Sequence, residues 1–363
     1  MYTPNITHRK PFPLLLITPA LPACGPAHFD PLVHDDRMAA WLEFDDPANL
    51  PARMTYAADN AVDVNLAYQQ GKHDPAWLES ACAAAAEADV AIALWPLLPE
   101  ADGYWANQAN ATQFAAYTLA SLEEARQVCP RLFAVTVDME MPYDRAQEVQ
   151  ALIEGGGSAI DLASMLLDGR DPVAFEASRT TFAELCDKLH TEGLECRFTG
   201  LPMLADDLAD GDETLAQGLW TPMAGIDWDL VSVQVYRSLF DAHFAPALGD
   251  PPPTFTPGLI ASYADTMATA FGDRAAIDLG TTGSSGVGVT DGLATAADLQ
   301  ADIAAALAAE VTVDHVAIYS LEGLDEHDDA AAWLAVPDPL VPDPDPAAAD
   351  LRELFSNLDA LAD

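Results

Sequence analysis

Short apolar runs recur at 38–44, 62–68, 90–95, 132–137, 195–201, 230–236, 275–279 and 315–321, each of a length suited to a buried strand. Segments with Ala, Leu and Glu at helical spacing lie between them at 75–87, 110–128, 172–190, 257–271 and 294–309, several opened by Pro or Asp. Strand and helix alternating about eight times in 363 residues predict a (β/α)8 TIM barrel over 38–335. A doubly wound open sheet is the competing arrangement, and no Gly-x-Gly-x-x-Gly turn follows an early strand to favour it. Insertions are expected after the fourth strand, where glycines 155–157 separate two short helices, and after the fifth, at 205–221. Beyond the barrel, 336–363 reads as a Pro/Asp-rich linker followed by an amphipathic C-terminal helix at 347–361.

The fourth run ends in chemistry. In Val135-Thr136-Val137-Asp138-Met139-Glu140-Met141-Pro142, two carboxylates stand one residue apart. Alternate residues of a strand point the same way, so Asp138 and Glu140 share a face. In barrel enzymes the site forms at the C-terminal ends of the strands, which is where this pair falls. Other strand ends would add Glu43 and Asp45, Tyr68, Trp95, Gln234 and Tyr236, Asp278, and Tyr319 with Glu322. The loop after the third strand carries Tyr104 and Trp105. Aromatic rings, amides and carboxylates without Lys or Arg suit a neutral polyhydroxylated ligand better than a phosphate. Trp95, Tyr104, Trp105, Gln234, Tyr319 and Glu322 are therefore the expected substrate contacts.

The 135–142 segment resembles the fourth-strand signature of family 18 glycoside hydrolases, the chitinase-like barrels, in which Asp-x-x-Asp-x-Asp-x-Glu runs on to an aromatic residue and Pro. Ser232-Val233-Gln234-Val235-Tyr236 is similar to the sixth-strand segment carrying that family's substrate-binding Tyr, and 315–322 resembles the eighth-strand segment. Phe133 and Thr136 occupy the first two Asp positions, Arg237 follows Tyr236 where Asp or Asn is common, and Tyr319 replaces a Trp. A short Asp-x-Glu at a strand end also occurs in lysozyme-like barrels, so the resemblance bears on glycan hydrolysis more than on a linkage. It implies Glu140 as general acid, Asp138 as the residue that orients a substrate acetamido group, and Tyr236 as its stabilising partner. A substrate without an acetamido group would need a second carboxylate, for which Glu322, Asp278 and Asp45 are the candidates.

Charge narrows the partners. The net charge of -43, with Lys at positions 10, 72 and 188 only, repels nucleic acid and anionic membranes and strains the fold by self-repulsion that salt relieves. A solvated acidic surface, or adaptation to a saline setting, accounts for it. Near the N-terminus, His8-Arg9-Lys10, an apolar stretch at 11–19 and Leu21-Pro22-Ala23-Cys24 read as a signal peptide over 1–23, resembling a bacterial lipobox, with 24–37 a linker. The expected location is the cell envelope or extracellular space, with membrane contact only through a lipid on Cys24. Cys82, Cys129, Cys186 and Cys196 match no zinc spacing and read as one or two disulfides or as buried thiols. Neither metal nor cofactor is expected. The Gly-rich loop at 278–286 lacks a Walker pattern, and the acidic turn around Asp325, Asp328 and Asp329 reads as solvated.

Three function classes follow: an exported glycoside hydrolase acting on a neutral or amino-sugar-containing glycan, a surface-anchored glycan-binding protein on a decayed hydrolase barrel, and a metal- or phosphate-dependent barrel lyase or isomerase. The pattern leaves the oligomeric state open.

Overall fold

A computed structural model of the chain describes residues 38–43, 45–155, 159–283, 292–308, 313, 315–327 and 330–360. The expected signal peptide, Cys24 and the linker to 37 lie outside these residues, as do Asp328, Asp329 and most of the Gly-rich loop. Eight parallel strands close into a barrel: β1 (Met38–Leu42), β2 (Asp63–Gln69), β3 (Ile92–Leu97), β4 (Leu132–Met139), β5 (Glu195–Gly200), β6 (Leu230–Gln234), β7 (Ala275–Gly280) and β8 (His315–Tyr319). Each strand pairs with the next and β8 returns to β1, so no edge is left unpaired. The fold is the predicted (β/α)8 barrel.

The strands are buried on both sides. Outward residues such as Val64, Leu66, Val135, Val137, Val231 and Ile277 join the helices in one large apolar layer. Inside, the barrel is layered by polarity. Near its floor Thr136 Oγ1 donates to Asn65 Oδ1 at 3.0 Å, and Thr199 and Ser232 hydroxyls each donate to Asp278 at 2.5 Å. Above them Trp41, Trp95, Tyr104, Tyr236 and Tyr319 form an aromatic mouth.

One irregularity in β4 positions the carboxylates. Ile92 pairs with Leu132 but Ala93 with Ala134, so Phe133 is an extra residue in a bulge. Leu132 belongs to the outer layer, whereas Ala134, two residues on, belongs to the barrel interior with Ala91, Ala93 and Phe133. The bulge inverts the alternation, and Thr136, Asp138 and Glu140 consequently face inward.

Helices Pro75–Ala88, Ala111–Val128, Pro172–Thr191, Pro257–Phe271 and Ala296–Ala306 fill the expected intervals. Asp74, Asp171, Thr256 and Thr295 accept backbone N–H bonds at the N-terminal ends of four of them. Leu50–Asp59, Leu204–Asp210 and Thr214–Leu219 are additional short helices whose N-cap residues make no side-chain cap bond. Both cysteine pairs are disulfides: Cys82–Cys129 joins two neighbouring helical segments and Cys186–Cys196 ties a helix to β5.

The region after the barrel is more than a tether. Its helix, Pro346–Ala360, buries Leu351 and Phe355 in the outer apolar layer, and Arg352 Nε donates to Asp206 at 2.8 Å. Among the described residues no helix is long and apolar enough to cross a membrane.

Candidate active site

At the C-terminal end of the barrel lies an open cavity of about 850 Å³. Asp138, Glu140, Gln234, Tyr236, Trp95, Tyr104, Trp105 and Tyr319 all line it. The pair on β4 is bridged from across the barrel, because the Gln234 side-chain amide donates to Asp138 Oδ1 and Glu140 Oε1, each at 3.0 Å. Asp138 is 2% exposed, and Glu140 is only partly covered at the cavity surface.

Burial sets the electrostatics. Asp138 is held well above the ordinary carboxylate range, first by desolvation, then by the charge of Glu140, with Glu43 and Asp278 adding to it. Desolvation also raises Glu140 to about 7, against hydrogen bonds from Gln234 and Asp138 that favour its charged form. Two hydrogen-bonded carboxyls so placed share a proton near neutrality and titrate as a pair. Tyr236 is pushed up by burial and by Asp278, Asp138, Glu140 and Glu43, so its phenol stays protonated as a donor. Among the described residues no Arg hydrogen-bonds to the pair. Arg145, which could have tied it down, instead donates to the carbonyls of Met165, Leu166 and Gly218.

A further carboxylate enters from the end of β1, a strand end already named from the sequence, although its neighbour Asp45 was the candidate for a second acid there. Glu43, just past β1, lines the same cavity and is 6% exposed. Tyr104 Oη donates to its Oε1 and Tyr319 Oη to its Oε2, both at 2.5 Å. Burial raises Glu43 to about 7, opposed by the two tyrosine bonds.

Three expectations are corrected here. Glu322 is absent from the described lining; its Oε1 accepts the Glu43 backbone N–H at 2.8 Å and so helps to position Glu43. Asp45 is turned away and bound by Arg53 Nε at 2.6 Å. Asp278 sits beneath the cavity, 1% exposed and held by Thr199 and Ser232, with burial raising it to about 7. Of the four acidic strand-end residues near the pair, Glu43 is the one in the cavity. Tyr68 also leaves the mouth, its hydroxyl donating to Glu124 at 2.7 Å on the outer side.

The structure adds Trp41, Tyr143 and His243 to the lining. Trp41 was legible, being two residues before Glu43 on the inward side of β1. His243 lies in a short π-helical segment, Phe240–Phe244, after β6. Trp41 and Trp95 pack edge-to-face at 4.7 Å, and neither indole N–H has a hydrogen-bond partner among the described residues. Among those residues no group of three or more His, Cys, Asp or Glu is arranged to hold a metal.

Fold and cavity together define a (β/α)8 barrel with a carboxylate pair at the C-terminal end of its strands. No family model matches the sequence, and no curated protein matches it. Solved structures similar to it include an L-ribulose 3-epimerase, at 13% identity, 90% coverage of this chain, 96% of the other and a TM-score of 0.45. A GH113 β-1,4-mannanase is similar at 11% identity, covering 89% and 99% with a TM-score of 0.46. The catalytic domain of a mannanase from Streptomyces sp. SirexAA-E is similar at 11%, covering 83% of each chain with a TM-score of 0.41. At this level the likeness is one of barrel architecture, and no activity is drawn from it.

Proposed function

We propose that the protein hydrolyses glycosidic bonds in a neutral or amino-sugar-containing glycan, with Glu140 as general acid and Asp138 as its positioning partner. The observation that carries this is the Asp138–Glu140 pair bridged by Gln234 inside an aromatic-lined cavity. A carboxyl raised to about 7 is still substantially protonated near neutral pH and can give its proton to a leaving oxygen. The bond from the anomeric carbon to that oxygen breaks, Glu140's proton goes to the oxygen, water supplies the hydroxyl that ends on the carbon, and the water's remaining proton restores the acid form of Glu140. The transition state carries positive charge on the sugar, which Glu43 opposes with negative potential when it is ionised. Aromatic faces of Trp95, Trp105 and Tyr236 suit the apolar faces of sugar rings.

The test is release of reducing ends from a panel of oligosaccharides. Glu140→Gln keeps an acceptor for Gln234 and removes the acid, so turnover is expected to fall about 10²- to 10⁴-fold with the melting temperature preserved. Because the acid form is lost as pH rises through about 7, kcat/KM of the wild type should decline above that point. Full activity in Glu140→Gln would sink the assignment. Binding of oligosaccharides without release of ends, in wild type and variant alike, would mark the barrel as a glycan-binding module.

A further inference from the structure

We infer that the cavity selects a hydroxylated ligand that carries positive charge, of the class of glycans built from de-N-acetylated amino sugars. The inference rests on the glycan-hydrolase reading and names its substrate class. The first observation is the sign of the wall. Glu43, Glu100, Asp138 and Glu140 line the cavity, and among the described lining residues there is no Lys or Arg. The nearby cations are engaged elsewhere: Arg237 with Asp302 at 2.9 Å, and Arg145 with three backbone carbonyls. His243 is the one described lining residue able to carry positive charge, and Lys72 acts on Glu43 from the loop after β2.

The second observation concerns the unused donors. Trp41 and Trp95 are 2% and 3% exposed, and their indole N–H groups are unpartnered among the described residues at the aromatic wall. A buried donor without a partner is unfavourable, and a ligand acceptor oxygen would remove that penalty. A simple polyamine offers no such oxygen; an amino sugar offers hydroxyls and an ammonium group together. The same rings present π faces, which attract a cation near carboxylates that are already desolvated. An anionic sugar would find no Lys or Arg among the described lining residues and would meet acidic groups instead.

The physical consequence is a preference ratio. β-1,4-linked glucosamine tetramer should bind the wild-type protein at least about ten-fold more tightly than the neutral β-1,4-glucose tetramer, a difference of about 1.4 kcal/mol. It should also bind more tightly than the fully N-acetylated tetramer, whose amide carries no charge. Titration calorimetry on the three tetramers reads these ratios directly. Glu43→Gln, which removes a charge while keeping side-chain shape, should cut the glucosamine advantage about three-fold or more.

Equal or tighter binding of the glucose or N-acetylated tetramer by the wild type overturns the inference, whatever the variant does. If those tetramers are nevertheless hydrolysed through Glu140, the hydrolase reading stands alone. A glucosamine preference with no cleavage of any oligomer keeps the inference and removes the hydrolase reading. Failure of all three to bind removes the inference, and failure of the whole oligosaccharide panel to be cleaved removes the hydrolase reading.

Discussion

The side chain of Gln234 has one amide nitrogen and spends both of its N–H bonds on acids, Asp138 and Glu140. That arrangement leaves the carboxyls close enough to share a proton without an Arg to neutralise them, which is the environment an acid catalyst needs. Glu43 is held differently, by the hydroxyls of Tyr104 and Tyr319 and through its own backbone by Glu322. Removing either hydroxyl leaves a buried carboxyl oxygen short of a donor. Tyr319→Phe and Tyr104→Phe are each expected to lower stability by about 1–3 kcal/mol in urea unfolding. A change within error in both would show that the bonds do not organise Glu43. If Glu43 supplies the charge that opposes the sugar cation, the same variants should also weaken turnover more than they raise KM.

At the scale of elements, the bulge at Phe133 and the docked C-terminal helix have the largest consequences. Phe133 lies under the Arg197 guanidinium, 4.6 Å from ring centroid to Cζ, at the floor of the barrel, so the bulge is held by packing as well as by pairing. The C-terminal helix is joined to the barrel through Asp345. Its carboxylate accepts from the Thr256 N–H at 2.6 Å, from the Thr256 hydroxyl, and from the N–H groups of Ala347 and Ala348, so it serves the starts of two helices at once. Gly258 permits the approach, because a Cβ there would meet Asp343 O at 2.7 Å. Asp345→Ala is expected to cost about 1–3 kcal/mol and Leu351→Ala about 2–5 kcal/mol in chemical denaturation. A freely hanging tail would give values near zero for both.

For the whole molecule the dominant feature is acid, on the surface and inside. Burial raises Glu43, Glu140, Asp278 and Asp302 to about 7, so the folded state binds more protons than the unfolded chain between their ordinary range and that value. The stability these groups contribute is fully present below the unfolded pKa and is lost as pH rises through about 7. His73 acts in the opposite direction: burial lowers it to about 4, so its contribution grows as pH rises from there towards 6.5. Four carboxyls outweigh one imidazole, and the surface charge repels itself more strongly as the remaining acids ionise. The melting temperature should therefore fall between pH of about 5 and about 8, and added salt should restore part of the loss at the upper end. A rising or flat profile in calorimetry would contradict this.

Much of this was legible in order along the chain. The eight strands were readable because a barrel strand is buried on both faces and so appears as an unbroken apolar run, and the shared face of Asp138 and Glu140 follows from strand geometry alone. Trp95, Gln234, Tyr236 and Tyr319 were named from their places at strand ends and Tyr104 and Trp105 from the loop after β3, and closure brings all of them to one cavity. What the sequence could not express was which way those faces turn and which acids meet. A one-residue bulge decides that Asp138 points inward, and a ring of paired strands carries Glu43 to the tyrosines while Asp45 and Glu322 are taken by other partners. Local pattern is set by neighbours a few residues apart; the identity of the second carboxylate depends on contacts such as Glu43 with Tyr319, which only closure of β8 onto β1 creates.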